Sequence, residues 1–474
     1  MKKFCADWDN EFDQIELPDD RLPKRAVQLL RRFAAEPECP INQVCLNWAE
    51  TKSAYRFFHN DRISPAALLS PHASKTRDRA QQFDRILAIQ DTSYFNYTKH
   101  PKTVGLGSIG GREQANLSGL LMHTVFAVTT NGLPLGILDQ KIFARAEKKK
   151  RRKQSTRRWL SPPQDKESIK WVEGLINSHY GFKNSKCVVI TVCDREGDFY
   201  ELFEHAHILG AHVLIRSKSD RKVRGAYKGV QHNYEKCEKS LKKFMQTRKS
   251  RGMVLVEIPS RGGEFGNKAR SAELELCYSR VQLLAPVGSA KRRLNKVVVY
   301  SIYALERTPP KGEEAIEWML ITDIPVHTFS DAVEKVKWYS FRFRIETLHR
   351  ILKSGFMTES CRLGTASSLT RYLTLMCIAS WRIFWLTVIG RTNPDTPCTL
   401  FLTEDEWKIL YARAYQTLKF PTHPISTRKA IHLIGRLGGF LDREHDGDPG
   451  VNTLWRGWRR LNDIKDGWNI ANAA

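Results

Sequence analysis

The ten cysteines include no C-x-x-C pair and run singly from Cys5 to Cys398. Neither a disulfide framework nor a thiolate zinc site is therefore expected, and the usage suits a reducing compartment. Cys187 and Cys193 bound one apolar run and read as core residues. Two lysines follow Met1 without an apolar segment after them, so no secretory signal is expected. A clean membrane span is missing too. The nearest candidate, 372–390, carries Arg382 near its middle and Thr374, Ser380 and Thr387 along its length. A central arginine costs about 2.5–3.5 kcal/mol on insertion scales. The stretch is expected to be a buried helix of a soluble, cytoplasmic protein with no membrane partner. Acidic side chains are also scarce: 51, against 76 lysines and arginines, for a net charge of +25. Such an excess repels itself in a folded chain, and a polyanionic partner is its usual reason, nucleic acid before an acidic membrane surface.

What is present is ample apolar material. At 474 residues and 41% hydrophobic, the chain can build several cores. The first 80 residues read as short basic helices: one opens at Pro23-Lys24-Arg25 and carries Arg31 and Arg32 near its end, and another, 53–58, carries Arg56 between aromatics. A small DNA-binding module fits this region, with Arg25, Arg32 and Arg56 among the contacts. From residue 85 the period changes. Apolar runs at 86–90, 121–129 and 133–143 read as strands, the last two joined by Asn131-Gly132, a strong hairpin signal. A helix (166–180), a strand (187–193), a helix (198–209) and a strand (212–215) follow. Antiparallel strands succeeded by alternating helices and strands are the order of an RNase H-like α/β domain, here 81–364. The β-rich segment at about 220–325, with strands at 253–258, 272–284, 297–305 and 318–324, reads as an insertion ahead of a long helix at 331–354. Residues 365–474 read as a helical, tryptophan-rich domain suited to dimerisation. The run 148–158 holds eight basic residues among eleven and reads as a loop useful to DNA.

With so many carboxylates, placement matters more than count. Asp91 is expected directly after the first strand and Asp194 directly after the fourth, and in an RNase H-like sheet those strands are neighbours. Two carboxylates held together repel unless a hard cation lies between them, and Mg²⁺ or Mn²⁺, often as a pair of ions, suits oxygen ligands. On a continuous helix Tyr339, Arg342, Glu346 and Lys353 fall within an arc of roughly 60°. Phe341, Ile345, Leu348 and Leu352 fall in a separate arc that faces the core. One stripe thus offers a carboxylate for metal beside cations for DNA phosphates.

Tyr339-x2-Arg342-x3-Glu346-x6-Lys353 resembles the Y-R-E-K signature of bacterial cut-and-paste DDE transposases of the insertion-sequence-four group. The similarity includes Ala88-Ile89-Gln90-Asp91-Thr92, Cys193-Asp194-Arg195-Glu196-Gly197-Asp198, Ile215-Arg216-Ser217-Lys218, Tyr55-Arg56-Phe57 and Arg436-Leu437-Gly438-Gly439-Phe440. It implies Asp91, Asp194 and Glu346 as a metal-binding catalytic triad holding two ions. It implies DNA contacts from Tyr339, Arg342, Lys353, Arg216 and Lys218, and a Trp318 that helps hold an extruded base. A homodimer pairing two transposon ends in a synaptic complex with target DNA is implied as well. A nuclease that cuts without joining and a non-catalytic end-binding inhibitor are the rival expectations. Other patterns are weaker. Gly105-x-Gly107-x-x-Gly110 lacks a following helix and reads as a turn. Glu204-x-x-His207 and Glu346-x-x-His349 match half of a di-iron pattern without its four facing helices. His123 reads as a core histidine, and Asp198 as a helix N-terminal residue rather than a ligand.

Overall fold

The computed structural model describes residues 11–12, 14–110, 116–145, 167–226, 234–259, 269–285 and 296–472. The basic run 148–158 lies outside them. The N-terminal helices are α1 (Arg21–Ala35), the single turn α2 (Ile41–Val44), α3 (Trp48–His59) and α4 (Pro65–Ala80). On α1, Ala26, Leu29, Leu30 and Phe33 fall at helical spacing and are buried. Asn47 caps α3 by accepting from the Glu50 amide at 2.9 Å, and Ser64 caps α4, which opens on Pro65.

One sheet organises the centre. Its strands are β1 (Arg85–Asn96), β2 (Gly107–Ser108), β3 (Ser118–Thr129), β4 (Pro134–Phe143), β5 (Val188–Cys193) and β6 (His212–Arg216), then β7 (Lys222–Ala226), β8 (Tyr234–Ser240), β9 (Gly252–Ile258), β10 (Arg270–Leu283), β11 (Val297–Leu305) and β12 (Glu317–Thr322). Spatially they run β4-β3-β1-β5-β6-β12-β11-β10-β7-β8, with β2 also on β3 and β9 on β10. The β1–β5 and β5–β6 pairs are parallel, and β1–β3, β3–β4 and β6–β12 are antiparallel. The RNase H-like order β4-β3-β1-β5-β6 is thus intact, and the β-rich segment prolongs the same sheet through β12. Helices α5 (Ile169–Tyr180), α6 (Tyr200–Leu209) and α7 (Leu241–Gln246) share one core with β5, β6, β10 and β11. Helices α4, α8 (Phe329–Ser340) and α9 (Phe343–Arg350) belong to a second core with α10 (Ala366–Thr392).

The helix expected at 331–354 is not continuous, which corrects the single-helix picture. A Thr328–Asp331 capping box starts α8. The chain then tightens: the amides of Phe341, Arg342, Arg344 and Ile345 each bond to the carbonyl three residues back, at 2.9–3.2 Å. It widens into a π turn at Ile351–Gly355, closed by Phe356 N–H to Ile351 C=O at 3.0 Å. Phe341 is seated at this break on Gly132 of the β3–β4 hairpin. Gly132 has φ +86°, and a Cβ there would meet the Phe341 ring at 2.6 Å, so the Asn-Gly turn supplies both the hairpin and the seat.

The apolar stretch with a central arginine is α10, and all of its most apolar window is buried inside the protein. One of its arginines ties it to the N-terminal helices. Arg371 donates to Ile63 C=O (2.7 Å), Phe58 C=O (3.0 Å) and the Asp61 carboxylate (2.8 Å), tying the α3–α4 turn to α10. Phe33 and Phe58 each pack edge to face with Tyr372 in the same seam. A second tie is the buried Glu11 carboxylate, which accepts from Arg79 at 2.9 and 3.0 Å and from His72. Helices α11 (Glu404–Tyr415), α12 (Thr427–Leu437) and α13 (Val451–Ala471) complete the chain. The α12 and α13 backbones meet at Gly438 and Gly457, where a Cβ would fall 1.8 or 1.7 Å from a carbonyl oxygen.

Candidate functional site

The parallel β1–β5 register pairs Ile89 with Val192, so the next positions facing the same way are Asp91 and Asp194. Asp194 leaves β5 as expected, and its Oδ1 accepts from the Glu196 amide at 2.8 Å. Asp91 does not end its strand: β1 continues to Asn96 on β3 after its pairing with β5 has stopped at Ile89. Asp91 therefore sits where one neighbour falls away, in mid-strand, and its position is fixed by β3.

Burial raises the Asp194 carboxyl, and the charges of Asp91 and Glu346 raise it further. Burial also raises Glu196, with Asp194 adding to it. Asp91 behaves differently. Burial pushes it up, but His349 and Arg342 outweigh that and leave it below the usual range. Glu346 lies on α9 with its side chain 37% exposed and is bound by Arg342. Burial opposes the Arg342 charge, yet Tyr339, Glu346 and Asp91 together hold its proton more firmly than usual.

An all-carboxylate set whose members repel one another suits a hard divalent cation in donor type and charge. Among the described residues, however, no three His, Cys, Asp or Glu side chains converge closely enough to hold an ion as they stand. Glu346 is engaged by Arg342 instead.

The other signature residues form no solvent-facing stripe. Tyr339 and Trp318 are each 2% exposed, with rings 5.0 Å apart at 71°. Trp318 is thus a core residue of β12 and offers no open stacking face. The tightened turn at Phe341 and Arg342 also departs from the 100° phase of a continuous helix. Arg342 is also buried. Lys353, on the π turn, lies 5.3 Å from the Phe95 ring. Burial lowers its pKa, against the pull of Glu359 and Asp91. Arg216 ends β6 half-buried, donating to Glu317 C=O at 2.9 Å, and Lys218 is exposed just beyond it.

Asp198 holds a loop rather than a helix N-terminus. It accepts from the Lys218 amide (2.7 Å) and the Ser217 hydroxyl (3.1 Å) and pairs with Arg221. His123 is a core residue, 2% exposed, between Gln90 (3.0 Å) and Thr92 (2.9 Å). In the N-terminal helices Arg56 is exposed on α3, on one face with Trp48, Lys52 and His59. Trp48 is 76% exposed, and neither it nor Lys52 stood out by composition. Their spacing along α3 was the signal available. Arg25 is half-buried and donates to Gln28 at 2.8 Å, and Gln28 in turn donates to Glu50. Arg32 lines a cleft of about 860 Å³ between α1 and the C-terminal helices, which Arg382 also lines.

Two stretches of the chain match family models. Residues 6–63, ending before α4, match the transposase DNA-binding domain. Residues 378–473, beginning within α10, match the transposase Tn5 dimerisation domain. The two matches flank the sheet that carries Asp91 and Asp194, and this order of domains supports a Tn5-like transposase.

Proposed function

We propose that this transposase works by the cut-and-paste route of the insertion-sequence-four group, with Asp91, Asp194 and Glu346 as its catalytic carboxylates. The observation that carries the reading is the placement of Asp91 and Asp194 at matched positions just past the last β1–β5 pair, Ile89 with Val192, where burial and then the charges of Asp91 and Glu346 raise the Asp194 carboxyl. Bound there, Mg²⁺ or Mn²⁺, as two ions in the simplest arrangement, supplies Lewis-acid neutralisation of charge developing on phosphodiester oxygens. The protein's own side chains do the rest. Arg342 holds Glu346 until substrate arrives, and with Lys353 it lies close enough to Asp91 to balance incoming phosphates. Arg216 and Lys218 extend that basic border along the end of β6. The α3 face with Lys52 and Arg56 is suited to the transposon end, whose phosphates fix register while base edges specify sequence.

In this scheme water cleaves one strand at the element's end, and the released 3′-OH attacks the opposite strand to give a hairpin. A second hydrolysis opens the hairpin, and the 3′-OH then attacks target DNA. Each transfer exchanges one phosphodiester for another, so no covalent protein intermediate is needed. Two copies joined through the C-terminal domain would pair the two ends. The test is incubation of the full chain with Mg²⁺ and DNA carrying the element's ends, followed on denaturing gels. Nicked, hairpin and joined products in sequence are expected. Nicks alone would reduce the protein to a nuclease, and no cleavage would leave an end-binding protein.

A further inference from the structure

His349 lies three residues after Glu346 and is 5% exposed, facing the strand that carries Asp91. Its Nδ1 is 3.7 Å from Asp91 Oδ2, and its Nε2 is 3.5 Å from Thr124 Oγ1. Asp91 and Thr124 are direct partners in the β1–β3 register, so one imidazole spans two adjacent strands. Thr124 is fully buried. A buried hydroxyl needs an acceptor, and Nε2 of a neutral imidazole provides one. With Oγ1–H directed at Nε2, the ring proton belongs on Nδ1, the nitrogen that faces Asp91. Contacts in unliganded sites are commonly long and shorten when the site fills.

We propose that His349 is a positioning residue: it presents Nδ1–H to Oδ2 of Asp91, anchored from behind by Thr124, and leaves the other carboxylate oxygen for a divalent cation. The proposal rests on the reading of Asp91 as a metal-binding carboxylate. Such partners of ligating groups matter because they fix the ligand's orientation and basicity, and losing one typically costs about 10- to 100-fold in metal affinity. His349 also joins the helix bearing Glu346 to the strand bearing Asp91, so one contact aligns two of the three carboxylates.

The choice of nitrogen makes the idea specific. An asparagine amide nitrogen overlays Nδ1 of histidine, whereas a glutamine amide nitrogen overlays Nε2. In the full-length protein, Mn²⁺ binding would be titrated by the paramagnetic resonance signal of free Mn²⁺, for wild type, H349N, H349Q, H349L and D91N, with melting temperatures alongside. H349L and H349Q should bind Mn²⁺ about 10- to 100-fold more weakly, and H349N should recover most of the loss. Equal loss in folded H349N and H349Q would overturn the assigned nitrogen. Wild-type affinity in H349L, with D91N impaired, would overturn the positioning role alone. Wild-type affinity in D91N would instead remove the metal reading of Asp91, and the proposal with it.

Discussion

Replacing Trp318 by alanine tests whether this side chain serves the fold or the DNA. It is 2% exposed on β12, and its ring meets that of Tyr339 edge-on at 5.0 Å. Truncating a buried tryptophan typically costs about 3–5 kcal/mol. The aromatic pair contributes about 0.5–1.5 kcal/mol beyond burial. Tyr339 would lose one wall of its pocket, and its electrostatic partners Arg216 and Arg342 would loosen with it. Arg342 in turn holds Glu346. A misplacement of about 1 Å can slow chemistry roughly 100-fold, and this one affects a group that every phosphodiester step would share. Nicking and hairpin formation should therefore fall together in W318A, with a lower melting temperature, and W318F should restore much of both. Single-turnover cleavage of end DNA on denaturing gels, with thermal unfolding in parallel, measures all three quantities. A W318A protein of unchanged stability that nicks normally but forms no hairpin would refute the core role. It would mean that Trp318 swings out to stack on an extruded base, a contact worth about 1–3 kcal/mol.

Alanine at Asp91, Asp194 or Glu346 should abolish nicking while end binding changes by less than about tenfold, because phosphate contacts dominate affinity; wild-type nicking by any one of the three removes it from the triad. Arg56→Ala should lower the slope of log affinity against log salt by about one. Arg25→Ala should change it less, since that guanidinium is already engaged by Gln28, and the opposite ranking would move the DNA face from α3 to α1. Glu11→Gln should cost about 3–5 kcal/mol at pH 7, the usual penalty for breaking a buried ion pair. Burial raises the Glu11 carboxyl, but Arg79 and His72 hold it far below its ordinary 4.5. Its stabilisation is therefore complete above about pH 4.5 and is lost as pH falls further. The gap between wild type and E11Q in denaturant unfolding should narrow on acidification, and a gap independent of pH would contradict the ion pair.

Much of the scaffold was legible because it depends on local pattern. The alternation and apolar runs at 86–90, 121–129 and 187–193 place the strands, and Asn131-Gly132 marks the hairpin, since only certain residues accept its backbone angles. The β-rich segment was legible as strands but not as an extension of the central sheet, because the β6–β12 pairing joins residues about a hundred positions apart. Asp194 could be assigned from the end of its run. Asp91 could not be fixed in mid-strand, because β1 outlasts its apolar stretch only by virtue of pairing with β3.

The sequence by itself determined the charge that calls for a polyanion, the period of each strand, and the spacing of Tyr339, Arg342, Glu346 and Lys353. These follow from composition and from neighbours a few residues apart. Only the tertiary structure decided which of those side chains face the solvent. The turn at Phe341 and Arg342 tightens and the turn at Ile351 widens, so the phase of an ideal helix does not carry across them. In the folded chain Tyr339 closes on Trp318, Arg342 takes Glu346, and His349 reaches Asp91 and Thr124. The contacts of Tyr339 with Trp318 and of His349 with Asp91 and Thr124 depend on how the helices are seated on the sheet, where Phe341 packs on Gly132, a neighbour more than two hundred residues away in the chain.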